Sequence, residues 1–142
     1  MVRRYARIGF VGAAWLFVAC VVGQVFLAGM GVFGLPAGDF TAHRDWGYTF
    51  GYLTLVILIL ALVGRFPRRV IGLSALLLVL FALQSVFVAL RTELPAVAAL
   101  HPLNGFAILA LAIVTARASW IAGRVPAPAM EASRRVEALG DA

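Results

Sequence analysis

Two histidines, His43 and His101, are the residues of this chain whose type and setting could do chemistry. Each is followed four residues later by a glycine and then by an aromatic residue. Each also comes after a glutamine set in apolar sequence. The equivalent glycines and glutamines are Gly47, Gly105, Gln24 and Gln84. Because imidazole nitrogens are common metal ligands, the repeated His-x-x-x-Gly pattern predicts a binding site.

The composition indicates a membrane protein. The chain has 142 residues, 63% of them hydrophobic, and a mean hydropathy of +1.01. A soluble domain is about half apolar, and a chain this short cannot bury such an excess. The net charge is +6, and every basic residue is an arginine. The arginines flank apolar runs, which favours membrane orientation over nucleic-acid binding. The single cysteine, Cys20, lies within an apolar run and is interpreted as a packing residue.

Four apolar runs predict the fold class, an all-α integral membrane four-helix bundle. They cover about residues 8–33, 40–64, 70–91 and 96–122. About 20 helical residues cross the hydrocarbon core, so each run is long enough to span it. The four spans form one transmembrane domain, residues 1–123. Proline and charged residues after the last span predict a solvated cytoplasmic tail over residues 124–142.

The arginines also predict the orientation. Only Arg44 and Arg91 fall at the ends assigned to the outer side. Nine fall at the other ends: Arg3, Arg4, Arg7, Arg65, Arg68, Arg69, Arg124, Arg134 and Arg135. Cytoplasmic segments of membrane proteins carry an excess of basic residues. Both termini and the middle connection are therefore expected in the cytoplasm, with both histidines near the outer side.

With this topology the chain divides into two similar helical hairpins, residues 8–64 and 70–122. Both hairpins start on the same side, so they form a parallel pseudo-repeat about an axis along the membrane normal. Such an axis turns the faces of His43 and His101 toward each other. Two imidazoles at matching depth in a helical bundle suit the iron of one heme b.

The neighbouring residues of the repeated pattern are predicted to complete a heme site. Gly47 and Gly105 would leave room for a flat ring. Gln24 and Gln84 would hydrogen-bond an imidazole or a ligand edge. Arg44 and Arg91, the outer arginines, would neutralise the propionates. A heme held in this way implies electron transfer or heme handling.

Other interpretations of the same residues stay open. Histidines at membrane ends are common interface residues, and small residues four apart usually mean close helix packing. The protein would then be a cofactor-free structural or accessory subunit, as a homo-oligomer or in a larger membrane complex. A small transport or quinone-linked module and an outer metal site with Asp39 and Asp45 are further alternatives. No catalytic residues are predicted, because no nucleophile–base pattern occurs. The absence of Asp, Glu and Lys from the interiors of the spans argues against a proton-coupled or cation pump.

The stretch from Arg7 to Arg117 resembles a family of small bacterial four-helix membrane proteins with no assigned activity. The residues that carry the resemblance are 23–29, 43–47, 83–84 and 99–104. It implies a multi-pass protein of the bacterial cytoplasmic membrane. More distantly, the arrangement is similar to half of a heme A synthase or to a small b-type cytochrome. That similarity covers His43 and His101 and implies heme ligation by histidines on alternate helices.

Overall fold

The described part of the chain, residues 1–34 and 39–124 of a computed structural model, is all-helical. It contains four long helices and one short one: α1 Val2–Val32, α2 Thr41–Val63, α3 Arg68–Ala89, α4 Pro95–Ala98 and α5 Leu100–Arg124. Most of the predicted tail, from residue 125 onward, lies outside the described residues, as do residues 35–38 of the first turn.

Four segments are long and apolar enough to cross a membrane. They are α1, α2, α3 and a fourth span, Pro95–Ile121, that α4 and α5 form together. Large apolar side chains such as Phe26, Ile59 and Leu103 lie exposed on these helices. Lipid is the solvent in which such surfaces are stable. The structure therefore agrees with the predicted all-helical, four-span class and indicates a multi-pass membrane protein.

The helices form a square in which neighbours along the perimeter touch. α1 packs against α2 and α5, and α3 packs against the same two helices. Within the described residues, α2 and α5 share no Cα pair within 8 Å, and neither do α1 and α3. These two pairs therefore lie on the diagonals. The two histidines belong to one diagonal pair, α2 and α5.

The core is built from phenylalanines and small residues. Phe17, Phe50 and Phe81 form a cluster whose ring centroids lie 5.4 to 5.8 Å apart. The Phe81 ring occupies the space beside Gly51, where an added Cβ would come within 2.5 Å of it. Alanines at buried positions of α1, α2 and α5 bring the other helices close: Ala14, Ala61, Ala112 and Ala116. Between membrane helices such close packing supplies much of the attraction.

The fully buried hydroxyl groups belong to Thr54, Ser74, Thr115 and Ser119. Each donates a hydrogen bond to a carbonyl three or four residues earlier in its own helix. These hydroxyls are thereby satisfied without linking helices. The polar contacts between helices lie instead at the two ends of the bundle.

The first helix begins at Val2, six residues before the predicted start of the span at Ile8. Two arginines of these additional residues, Arg3 and Arg7, bind the end of α2. Arg3 Nε and Arg7 Nε donate to the carbonyl of Gly64 at 3.3 and 3.0 Å, and Arg7 also donates to the carbonyl of Arg65. Basic groups satisfy free carbonyls at a helix C-terminus. Residues 2–7, which precede the predicted span, therefore belong to α1 and link it to the end of α2.

The fourth span is interrupted near its start, where one continuous helix was expected. α4 ends at Ala98 and α5 begins at Leu100. Pro102 has no N–H to donate to the carbonyl of Ala98, and its ring crowds that carbonyl. The break places His101 in the first turn of α5.

Candidate functional site

His43 lies in the first turn of α2 and is bound by Gln24 of α1 through three contacts. Its Nδ1 lies 3.1 Å from the backbone carbonyl oxygen of Gln24. The side-chain Nε2 of Gln24 lies 3.1 Å from His43 Nε2 and donates to the His43 carbonyl at 2.9 Å. A carbonyl can only accept, so Nδ1 carries the proton in this arrangement and Nε2 has the free electron pair.

His101 has the corresponding position in the other hairpin. Its Nδ1 lies 3.3 Å from the backbone carbonyl oxygen of Gln84 in α3. The side chain of Gln84 is bound by Asn104, which donates from Nδ2 to Gln84 Oε1 at 2.9 Å and to the Leu80 carbonyl at 2.8 Å. Because this carbonyl can only accept, the proton of His101 is also on Nδ1. Both imidazoles are thus oriented by the first long helix of their own hairpin, α1 for His43 and α3 for His101.

A second pair of contacts has the same spacing in both hairpins. Trp46, three residues after His43, donates from Nε1 to the carbonyl of Cys20 at 3.0 Å. Asn104, three residues after His101, reaches the carbonyl of Leu80. Each acceptor lies four residues before the glutamine of its hairpin. The sequence places Trp46 on the helix face of His43 and Asn104 on that of His101, but their hydrogen bonds to these carbonyls were not predicted.

The glycines of the repeated pattern receive the glutamine side chains. A Cβ added to Gly47 would lie 2.9 Å from Gln24 Nε2, and one added to Gly105 would lie 3.5 Å from Gln84 Nε2. The amides therefore occupy the space that the absent side chains leave. Gln24 Oε1 is buried and has no hydrogen-bond partner among the described residues.

The two imidazoles meet across the bundle. Their ring centroids lie 6.1 Å apart, with an angle of 65° between the ring planes. The histidines come from the diagonal helices α2 and α5, so this meeting point lies between all four spans. Phe40 packs edge-on against His43 from the loop side, at a centroid distance of 6.1 Å.

Arg44 and Arg91, at the same end of the bundle as the histidines, have partners other than the histidines. Arg44 forms an ion pair with Asp45 at 2.9 Å, with both side chains more than half exposed. Arg91 is exposed and donates to the carbonyl of Val88 at the end of α3. Within residues 1–34 and 39–124, no group of three or more His, Cys, Asp or Glu side chains could hold a metal ion. Asp39 and Asp45 therefore do not join the histidines in such a cluster.

Part of the chain is similar to a family without an assigned activity. Residues 24–91 match DUF6220, a family of unknown function. The predicted resemblance to an uncharacterised family is thereby confirmed. The match includes Gln24, His43 and Gln84 and ends before His101. No curated protein and no solved structure matches the chain, and the likeness to heme A synthase or a b-type cytochrome is unsupported.

Proposed function

We propose that this protein binds one heme b between His43 and His101 in the bacterial cytoplasmic membrane, for electron transfer or heme handling. The observation that carries the proposal is the pair of imidazoles, whose centroids lie 6.1 Å apart. A metal–imidazole bond of about 2 Å on each side of one ion puts the two ring centres roughly 6 Å apart. The spacing of the two rings suits a shared iron.

The hydrogen bonds of the two histidines support the same assignment. Metal-bound histidines usually donate their second ring N–H to a carbonyl or carboxylate, which fixes the ring and raises its basicity. His43 and His101 direct Nδ1 to the backbone carbonyls of Gln24 and Gln84. This leaves Nε2 of each ring as the ligand atom. The donor set therefore fits the group.

A bound heme would supply a one-electron carrier, and the chain would hold and orient it. Gln24 Nε2 lies 3.1 Å from His43 Nε2, so this amide has to leave the ring nitrogen when the metal binds. This movement costs the amide its contact with the ring nitrogen, whereas its Oε1, which is buried without a partner among the described residues, loses no hydrogen bond. Arg44 and Arg91, exposed at the same end of the bundle, would neutralise the anionic propionates there.

We further infer that the two hairpins, α1–α2 and α3–α5, are a parallel pseudo-repeat. Three contacts occur in both hairpins. The histidine Nδ1 lies near the backbone carbonyl of the glutamine, and the glutamine amide lies beside the glycine. The third contact joins Trp46 to the Cys20 carbonyl in one hairpin and Asn104 to the Leu80 carbonyl in the other. The arginine distribution supports cytoplasmic termini.

The test is the absorption spectrum of the protein purified in detergent, as isolated and after addition of hemin. We expect a Soret band that His43→Ala and His101→Ala each abolish or shift, because each removes one iron ligand. Tyr48→Phe is the control, since Tyr48 is exposed and lies five residues after His43 in α2. A protein without a Soret band once unbound hemin is removed would contradict heme binding. Full retention of the spectrum in both alanine variants would contradict ligation of the iron by His43 and His101.

A second candidate is a cofactor-free accessory subunit of a membrane complex or homo-oligomer. The packing of the Gln24 and Gln84 amides against Gly47 and Gly105 favours it, because the amides fill the space predicted for a ring. In this case the histidines only link helices. The alanine variants would then lower stability in detergent without any spectral change.

A further inference from the structure

The end of the bundle opposite the histidines carries a second candidate site. This arginine end comprises the start of α1, the connection between α2 and α3, and the end of α5. A shallow cavity of about 790 Å³, open over most of its surface, lies there. Its lining combines three guanidinium groups with apolar side chains: Arg3, Arg4, Arg7, Ile8, Val11 and Trp120.

The charge at the arginine end is not balanced by carboxylates in the described part of the chain. The acidic residues of the described part are Asp39, Asp45 and Glu93, and all three lie at the histidine end. The one ion pair found within residues 1–34 and 39–124 joins Arg44 and Asp45, also at the histidine end. A cavity that is lined by three arginines, with no carboxylate at this end among the described residues, attracts an anion.

Two of the three arginines are held in place by the protein. Arg3 and Arg7 donate from Nε to the carbonyl of Gly64, and the Arg7 guanidinium carbon lies 5.0 Å from the centre of the Phe66 ring. A guanidinium has five N–H donors, so each keeps others for a ligand. Because these two groups are already ordered, less side-chain entropy is lost when an anion binds. Arg4 lines the cavity without a contact to these carbonyls.

The lining of the cavity changes from charged to apolar from the start of α1 toward its middle. Arg4, Ile8 and Val11 follow one another at intervals of four and three residues, which places them on one face of the helix. Trp120 of α5, which also lines the cavity, is 46% exposed. Tryptophan is enriched at membrane–water interfaces. A free inorganic anion would not use this apolar half, whereas a phospholipid would.

We propose that the arginine end binds the headgroup of an anionic phospholipid, with the phosphate at Arg3, Arg4 and Arg7 and the first part of an acyl chain along Ile8 and Val11. Basic pockets between membrane helices recognise anionic headgroups in this way. This site is independent of the histidines and of any heme.

The test is native mass spectrometry of the full chain, tagged at its C-terminus because Met1 also lines the cavity. The protein is released from nanodiscs that contain phosphatidylglycerol or phosphatidylcholine. We expect one phosphatidylglycerol to stay bound to the wild type, and no phosphatidylcholine. Arg4→Gln is expected to weaken retention about fivefold, the contribution of one basic residue near an anionic surface. Arg69→Gln, an exposed arginine outside the cavity lining, is expected to leave it unchanged.

Three outcomes would overturn the proposal. Equal retention of both lipids would show that the headgroup charge is not recognised. An equal loss in Arg4→Gln and Arg69→Gln would show that general charge attraction, and not the cavity, holds the lipid. Displacement of the lipid by millimolar inorganic phosphate would assign the site to a free anion. A circular-dichroism spectrum of Arg4→Gln checks that the variant is folded.

Discussion

Asn104 makes two polar contacts between α3 and α5. It donates to the carbonyl of Leu80 and to Oε1 of Gln84. Asn104→Leu keeps the branching and the number of heavy atoms of the side chain but leaves both acceptors without this donor. Since one interhelical hydrogen bond in a membrane protein contributes about 0.6 kcal/mol on average, we expect the variant to lose about 1 kcal/mol of unfolding free energy. Denaturation in mixed detergent micelles, followed by circular dichroism, measures this loss.

Gln84→Leu is the matched comparison for Asn104→Leu. Of the two hydrogen bonds that Asn104 donates, it removes only the one to Gln84 Oε1, and the bond to the Leu80 carbonyl can persist. The loss should therefore be about half as large. If Asn104→Leu is as stable as the wild type, or if Gln84→Leu is the more damaging change, the hydrogen bonds described here do not hold α3 and α5 together.

At the scale of the helices, the contact of α2 with α3 depends on Gly51. A Cβ at this position would lie 2.5 Å from the Phe81 ring, which is itself confined by Phe17 and Phe50. Overpacking of a core usually costs about 1–3 kcal/mol. We expect Gly51→Ala to lower the unfolding free energy by this amount, measured in the same detergent assay.

The control for Gly51→Ala is Gly12→Ala in the middle of α1. A Cβ there would have no neighbour within 4 Å, so the higher helix propensity of alanine should leave stability unchanged or raise it by up to about 1 kcal/mol. The double variant Gly51→Ala/Phe81→Leu should recover part of the loss, because leucine frees space beside residue 51. Equal stabilities of the two alanine variants would contradict the close packing of α2 on α3.

The helices could be predicted from the sequence, whereas their contacts could not. Runs of apolar residues long enough to cross a membrane define the four spans because lipid leaves the backbone few alternatives to a helix. The His, Gln and Gly positions were likewise readable as a pattern. The position of the Phe81 ring beside Gly51 could not be predicted, since it depends on how α2 and α3 are rotated against each other. For the same reason the glycines were predicted to leave room for a ring, while the glutamine amides lie beside them.

At the scale of the whole molecule, the two candidate sites lie at opposite ends of the bundle. His43 and His101 lie at one end, with all the acidic residues that the structure describes, and Arg3, Arg4 and Arg7 lie at the other. An electron-transfer site and a headgroup site of this kind would face different aqueous compartments. The function of each therefore depends on which end faces the cytoplasm.

Cysteine labelling in intact bacterial cells measures this orientation. Cys20→Ala gives a background without thiols and keeps the backbone carbonyl that Trp46 binds. We expect a membrane-impermeant maleimide to label Glu93→Cys, between α3 and α4, in intact cells. Arg69→Cys, at the start of α3, should react only after the membrane is opened, because segments rich in arginine remain in the cytoplasm. Reversed labelling would place the histidines on the cytoplasmic side, and labelling of both positions from outside would contradict a membrane crossing by α3.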